Sequence, residues 1–67
     1  MEFGIINFFD PLKGYGFIRR EHGKDVFFKH EDFSDIDNNP DIFKGIRVGF
    51  FLRKTEKGLR AMDIERQ

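Results

Sequence analysis

The chain contains no cysteine and no tryptophan, has only two prolines, and carries no excess charge of either sign. Without cysteine there is no disulfide and no thiolate metal site, which fits a reducing compartment. The hydrophobic core of a 67-residue chain must therefore hold the fold alone. No apolar run approaches the roughly 18 residues needed to cross a bilayer. The opening stretch "MEFGIINFFD" has no basic leader and its apolar run ends at Asp10, so it does not read as a signal peptide. Repeats and low-complexity segments are also missing. These absences leave one small soluble domain over residues 1–67, expected in the cytoplasm.

Phenylalanine is what the chain has in excess. Ten Phe and one Tyr are more rings than so small a core easily buries. Two readings stand on composition alone: an exposed aromatic binding surface, or a core overloaded with Phe. Charge is balanced in total but uneven along the chain. Residues 31–41, "EDFSDIDNNPD", hold five acids and no Lys or Arg. The remainder has seven acids against twelve bases, a net charge of +5.

Strand signals dominate, with weak helical periodicity. The pattern predicts strands at about 2–10, 15–20, 24–29, 46–54 and 59–65. Three tight turns join them, at "DPLKG", "EHGK" and "TEKG". Pro11 has no N–H for a ladder and Gly14 tolerates positive φ. Residues 30–45 read as a long polar loop, opened by one helical turn at "KHEDF" and otherwise solvated. Five short strands, three hairpins and one long connection predict an all-β, closed or nearly closed antiparallel barrel.

Two segments carry the functional signal, "KGYGFI" at 13–18 and "DVFFKH" at 25–30. Alternation puts Tyr15, Phe17 and Arg19 on one face of the second strand, and Phe27 and Lys29 on one face of the third. With Ile18, Val26 and Phe28 inward, the rings and cations lie together outside. Bases stack on such rings while cations meet phosphates, so the expected partner is single-stranded RNA or DNA. Gly14 and Gly16 leave room for a strand or base to approach beside the rings. In the competing assignment these aromatics are core and Gly16 marks a bend, but that would bury Lys29 at a cost.

The stretch "GIINFFDPLKGYGFIRREHGKDVFFKHEDF" resembles the start of the bacterial cold-shock protein family, and the likeness resumes at "KGIRVGFFL" and "EKGLRAMDI". RNA-recognition motifs share part of the first segment. They end it in an aromatic where this chain has Arg20, and they require a strand and a helix before it. The cold-shock resemblance implies a small five-stranded antiparallel OB-type β-barrel that binds single-stranded nucleic acid by stacking, with an RNA-chaperone role in cold adaptation, translation or transcription. Carried over residue by residue, it implicates Phe8, Phe9, Lys13, Tyr15, Phe17 and Phe27. Arg19, Lys29 and His30 complete the candidate site.

Several positions depart from the family pattern. Phe8 stands where tryptophan is common, and Asn7 where lysine is. Phe28, Lys29 and His30 stand where valine, histidine and phenylalanine are usual, and Leu59 follows Gly58 where proline is. Phe43 is the nearest counterpart of a loop aromatic, unless it is core. These changes imply a reduced platform and leave a second reading, a protein-interaction module on the same barrel.

No enzyme is expected, since no nucleophile–base set or paired-carboxylate pocket is evident. His22 and His30 lack partners at ligand spacing, and the acidic loop lacks a calcium-loop pattern, so neither a metal nor another cofactor is expected. The oligomeric expectation is a monomer or weak dimer.

Overall fold

In the computed structural model, which describes residues 1–67, five strands follow the expected order. They are β1 (Glu2–Asp10), β2 (Tyr15–Arg20), β3 (Val26–Lys29), β4 (Arg47–Thr55) and β5 (Gly58–Arg66). A single 3₁₀ turn, His30–Asp32, opens the long connection after β3, where the sequence predicts one helical turn. The sheet closes on itself in the order β1-β2-β3-β5-β4, an OB-type barrel without a free edge. Four of the strand pairs are antiparallel. The seam between β3 and β5 is parallel, joined where Phe27 faces Arg60. No helix is long and apolar enough to cross a membrane.

The turns form for local reasons. After β1, the Asp10 carboxylate accepts the backbone N–H groups of Leu12 and Lys13 at 3.0 and 3.1 Å. Gly14, at φ +69°, returns its own N–H to the Asp10 carbonyl. β3 starts at Val26 rather than at residue 24. Arg20 Nε donates to the Lys24 carbonyl at 2.8 Å, which draws that segment toward the Arg20 side chain instead of into a ladder.

Ile6, Ile18, Val26, Phe28, Val48, Phe50, Ala61 and Ile64 fill the barrel, with Phe33 and Ile42 contributed by the long connection. Fully burying each of the larger side chains is worth about 1.5–3 kcal/mol. The connection is therefore anchored to the barrel at Phe33 and Ile42, while residues 37–41 between them are exposed as a solvated loop. Its backbone is tied to β5 where Ser34 N–H donates to the Ile64 carbonyl at 2.9 Å. Arg66 Nε also donates to the Asp35 carboxylate at 3.0 Å, and the guanidinium lies 4.9 Å from the Phe33 ring centroid.

Two bulges set which residues face out. Ile6 pairs with Ile18, yet Phe8 pairs with Phe17, so Asn7 is an extra residue in β1. Likewise Gly49 pairs with Glu65 and Phe51 with Met62, leaving one extra residue in β5. Asp63 at φ +49° absorbs it, in the left-handed region that Asp tolerates.

Candidate nucleic-acid interface

The Asn7 bulge decides the roles of two adjacent phenylalanines. Strict alternation from buried Ile6 would turn Phe8 inward and Phe9 outward. The extra residue reverses this. Phe8 is 44% exposed on the outer surface, while Phe9 packs on the core, stacked on Phe28 at 5.9 Å with ring planes 8° apart. Phe9, which the family resemblance implicates in binding, thus faces the core rather than the outer cluster.

Four rings do meet there, one each from β1 and β3 and two from β2. Tyr15 and Phe27 are stacked at 5.9 Å with planes 27° apart. Phe17 meets both edge-on, at 6.1 Å from Tyr15 and 5.9 Å from Phe27. Phe8 lies 5.8 Å from Tyr15 and 6.3 Å from Phe17. Cross-strand pairing enforces this cluster, because Phe8 faces Phe17 and Phe17 faces Phe27. The surplus of aromatics is thereby divided. Phe9, Phe28, Phe33 and Phe50 pack in or against the core, the four rings form the outer cluster, and Phe3, Phe43 and Phe51 are exposed elsewhere. Phe43 is exposed rather than core, and it makes no ring contact with the cluster.

Of the two uses the sequence suggests for Gly16, the close approach of a strand is the one it serves. A Cβ there would run into the Phe8 carbonyl and sit 2.8 Å from the Phe28 ring. Its missing side chain makes room for the barrel wall and the core ring, not for a ligand. Gly14 serves the turn, and its carbonyl accepts the His30 N–H at 2.9 Å. That bond lies beside a shallow groove lined by Leu12, Lys13, Tyr15, Phe27, Lys29 and His30, with Glu31 the one acid in its wall.

Among the cations, Lys13 and Lys29 are exposed and engaged in no ion pair, whereas Arg19 lies 4.0 Å from Asp25 at the far edge of the cluster. Asn7, the bulge residue, also donates to Asp25, at 3.1 Å. The sequence reading missed a second groove on the other side of Phe27, lined by Phe17, Lys29, Thr55, Lys57, Leu59 and Arg60. No local signal marks it, since the parallel seam alone brings the β4–β5 turn beside β3. Arg60 in this groove is held by Asp32. Its Nε and Nη2 donate to the two carboxylate oxygens at 2.8 and 3.0 Å. That hydrogen bonding raises the Arg60 pKa above the ordinary guanidinium value, with burial acting against it.

A closed OB-type barrel presenting a ring cluster beside unpaired lysines defines a class of small β-barrel binding domains. Residues 2–67 match the "Cold-shock" DNA-binding domain, and the chain belongs to that family. It is 54% identical over 66 residues to the Retron Se72 cold shock-like protein of Salmonella heidelberg, covering 98% of each chain. Cold shock protein CspC of Bacillus subtilis is 33% identical over the same length, again covering 98% of each. The barrel superposes on drosophila Unr CSD456 with a TM-score of 0.79 at 27% identity, covering 98% of this chain and 26% of that one. Nucleic-acid binding is the general function of this family, which is not an enzyme family.

Proposed function

We propose that the chain binds single-stranded RNA or DNA with little sequence preference, by stacking bases on Phe8, Tyr15, Phe17 and Phe27. Lys13 and Lys29 contact the phosphates beside this cluster, and Arg19 and His30 flank it. The observation that carries this reading is the four-ring cluster on one outer face, with unpaired lysines beside it. Stacking is worth about 1–3 kcal/mol per base and tolerates any base, since each has a flat face. A protein that binds only the unpaired form draws an RNA away from its hairpins by mass action, without ATP. That is the basis of an RNA-chaperone role in cold adaptation, translation or transcription, with the chain acting in the cytoplasm as a monomer or weak dimer.

Titration of a fluorescent pyrimidine-rich single strand at low salt tests the reading. Binding is expected for the native chain, with a loss of at least tenfold for the Phe17→Ala, Phe27→Ala double variant, on the basis of about 1–3 kcal/mol per stacked base. Equal binding by the two proteins would overturn it. The relative at 54% identity is named for a retron, and we extend that association to this chain. Sequencing the nucleic acid that copurifies with the chain checks the extension.

A further inference from the structure

The outward-facing residues of the cluster belong to a row that continues around the barrel. Phe8 pairs with Phe17 and Phe17 with Phe27. Across the parallel seam Phe27 pairs with Arg60, and on the next strand Arg60 pairs with Arg53. Neighbouring strands are about 4.8 Å apart, so the step from Phe27 to Arg53 is about 10 Å.

Two guanidinium groups facing each other across a ladder repel. Here the repulsion is relieved on one side only, because Asp32 takes the Arg60 fork. Arg53 is exposed and takes part in no ion pair, which leaves an uncompensated positive charge at the end of the row.

Two residues along β4 on the same face stands Phe51, 48% exposed. Beyond it, on β1, Phe3 is 58% exposed and lies over Gly49, where a Cβ would come within 3.2 Å of its ring. The bulge at Asp63 keeps this face in phase, with Phe51 opposite Met62. Exposed rings following an unpaired arginine repeat the chemistry of the main cluster.

We propose that a single strand longer than the four-ring cluster continues over the β3–β5 seam onto β4, with Arg53 on a phosphate and Phe51 beneath a base. This rests on the stacking function proposed above and extends it to the opposite side of the barrel. The occupant is single-stranded nucleic acid because the row joins the main cluster without a break and ends in a cation that no carboxylate satisfies.

Binding of two oligothymidylates, of about four and about twelve nucleotides, tests this within the range of site sizes known for OB folds, about 4–16. Phe51→Ser and Arg53→Gln are each expected to weaken the longer strand by about fivefold or more while leaving the shorter unchanged. Arg53→Gln should also make the salt slope for the longer strand shallower by about 0.7. Two variants at exposed positions, each checked by thermal melting, keep the test from depending on one that fails to fold.

The extension is overturned if both variants bind the longer strand as the native chain does, or lose both lengths equally. It is also overturned if sedimentation shows a dimer that Phe51→Ser dissolves with both affinities intact, since a second copy would then cover the patch. A native chain that binds neither length overturns the parent function and the extension together.

Discussion

Arg60 on β5 grips Asp32 through both carboxylate oxygens, at 2.8 and 3.0 Å, across the one parallel seam of the barrel. The same carboxylate accepts the Lys29 N–H at 2.8 Å. This pair therefore fixes the 3₁₀ turn, the end of β3 and the strand behind Phe27 at a single point. The Asp32 side chain is 3% exposed and the Arg60 side chain 25%.

That difference in exposure predicts unequal costs. Arg60→Ala strands a buried carboxylate and should lower stability by about 3–5 kcal/mol. Asp32→Ala leaves a guanidinium that can turn to water, so about 2 kcal/mol is expected, the worth of charge-assisted hydrogen bonds. Urea unfolding of the two variants measures the order. Because Arg60 is raised above its unfolded value by the ionised Asp32 carboxylate, its contribution is undiminished at neutral and mildly alkaline pH and is lost only as pH rises through the guanidinium range. The order should therefore hold unchanged at neutral and mildly alkaline pH.

Glycine substitutions should separate backbone clearance from side-chain clearance. Gly16→Ala pushes a methyl group against the Phe8 carbonyl and the Phe28 ring. Overpacking of this kind costs about 1–3 kcal/mol. Gly49→Ala meets only the ends of Met1, Gln67 and Phe3 side chains, at 2.6, 2.9 and 3.2 Å, and these can swing aside. Thermal melting should show a clear loss for the first and little change for the second.

Enlarging the exposed ring on β1 should strengthen binding. Phe8→Trp adds stacking area at a position already 44% exposed, without touching the core. A gain of about twofold to tenfold is expected, a fraction of the roughly 1–3 kcal/mol carried by a whole stacked ring. The chain has no other tryptophan, so quenching of that single indole on titration reports the contact directly.

Salt should act through the unpaired lysines more than through Arg19. With about three phosphates neutralised, log affinity should fall with log salt at a slope near −2, from about −0.7 per phosphate on a single strand. Lys29→Gln should flatten the slope by about 0.7. Arg19→Gln should change it less, because Asp25 at 4.0 Å already shares that charge.

Much of the barrel was legible in the sequence because its signals are local. Alternation places Ile18, Val26 and Phe28 inside and Tyr15, Phe17 and Phe27 outside, and Gly14 marks its own turn. What escaped was non-local. The register shift at Asn7 arises from pairing with β2, so nothing in "IINFFD" announces that Phe8 and Phe9 exchange faces. Asp32 and Asp35 read as solvated loop acids because their arginine partners lie 28 and 31 residues away. The second groove needs a parallel contact between β3 and β5 that no hairpin rule supplies.

The bulge in β1 also bears on which changes the chain can survive. At Asn7 the residue's place outside the ladder matters more than its identity. A substitution there costs one hydrogen bond to Asp25, and without the residue Phe8 would follow Ile6 directly and still face Phe17. Were Asn7 instead to join the ladder, Phe8 would turn into the barrel and Phe9 out to solvent, leaving the packing and the ligand surface each with the other's ring. What this site must keep is a residue that stays out of the pairing, a rest written into the rhythm of the strand.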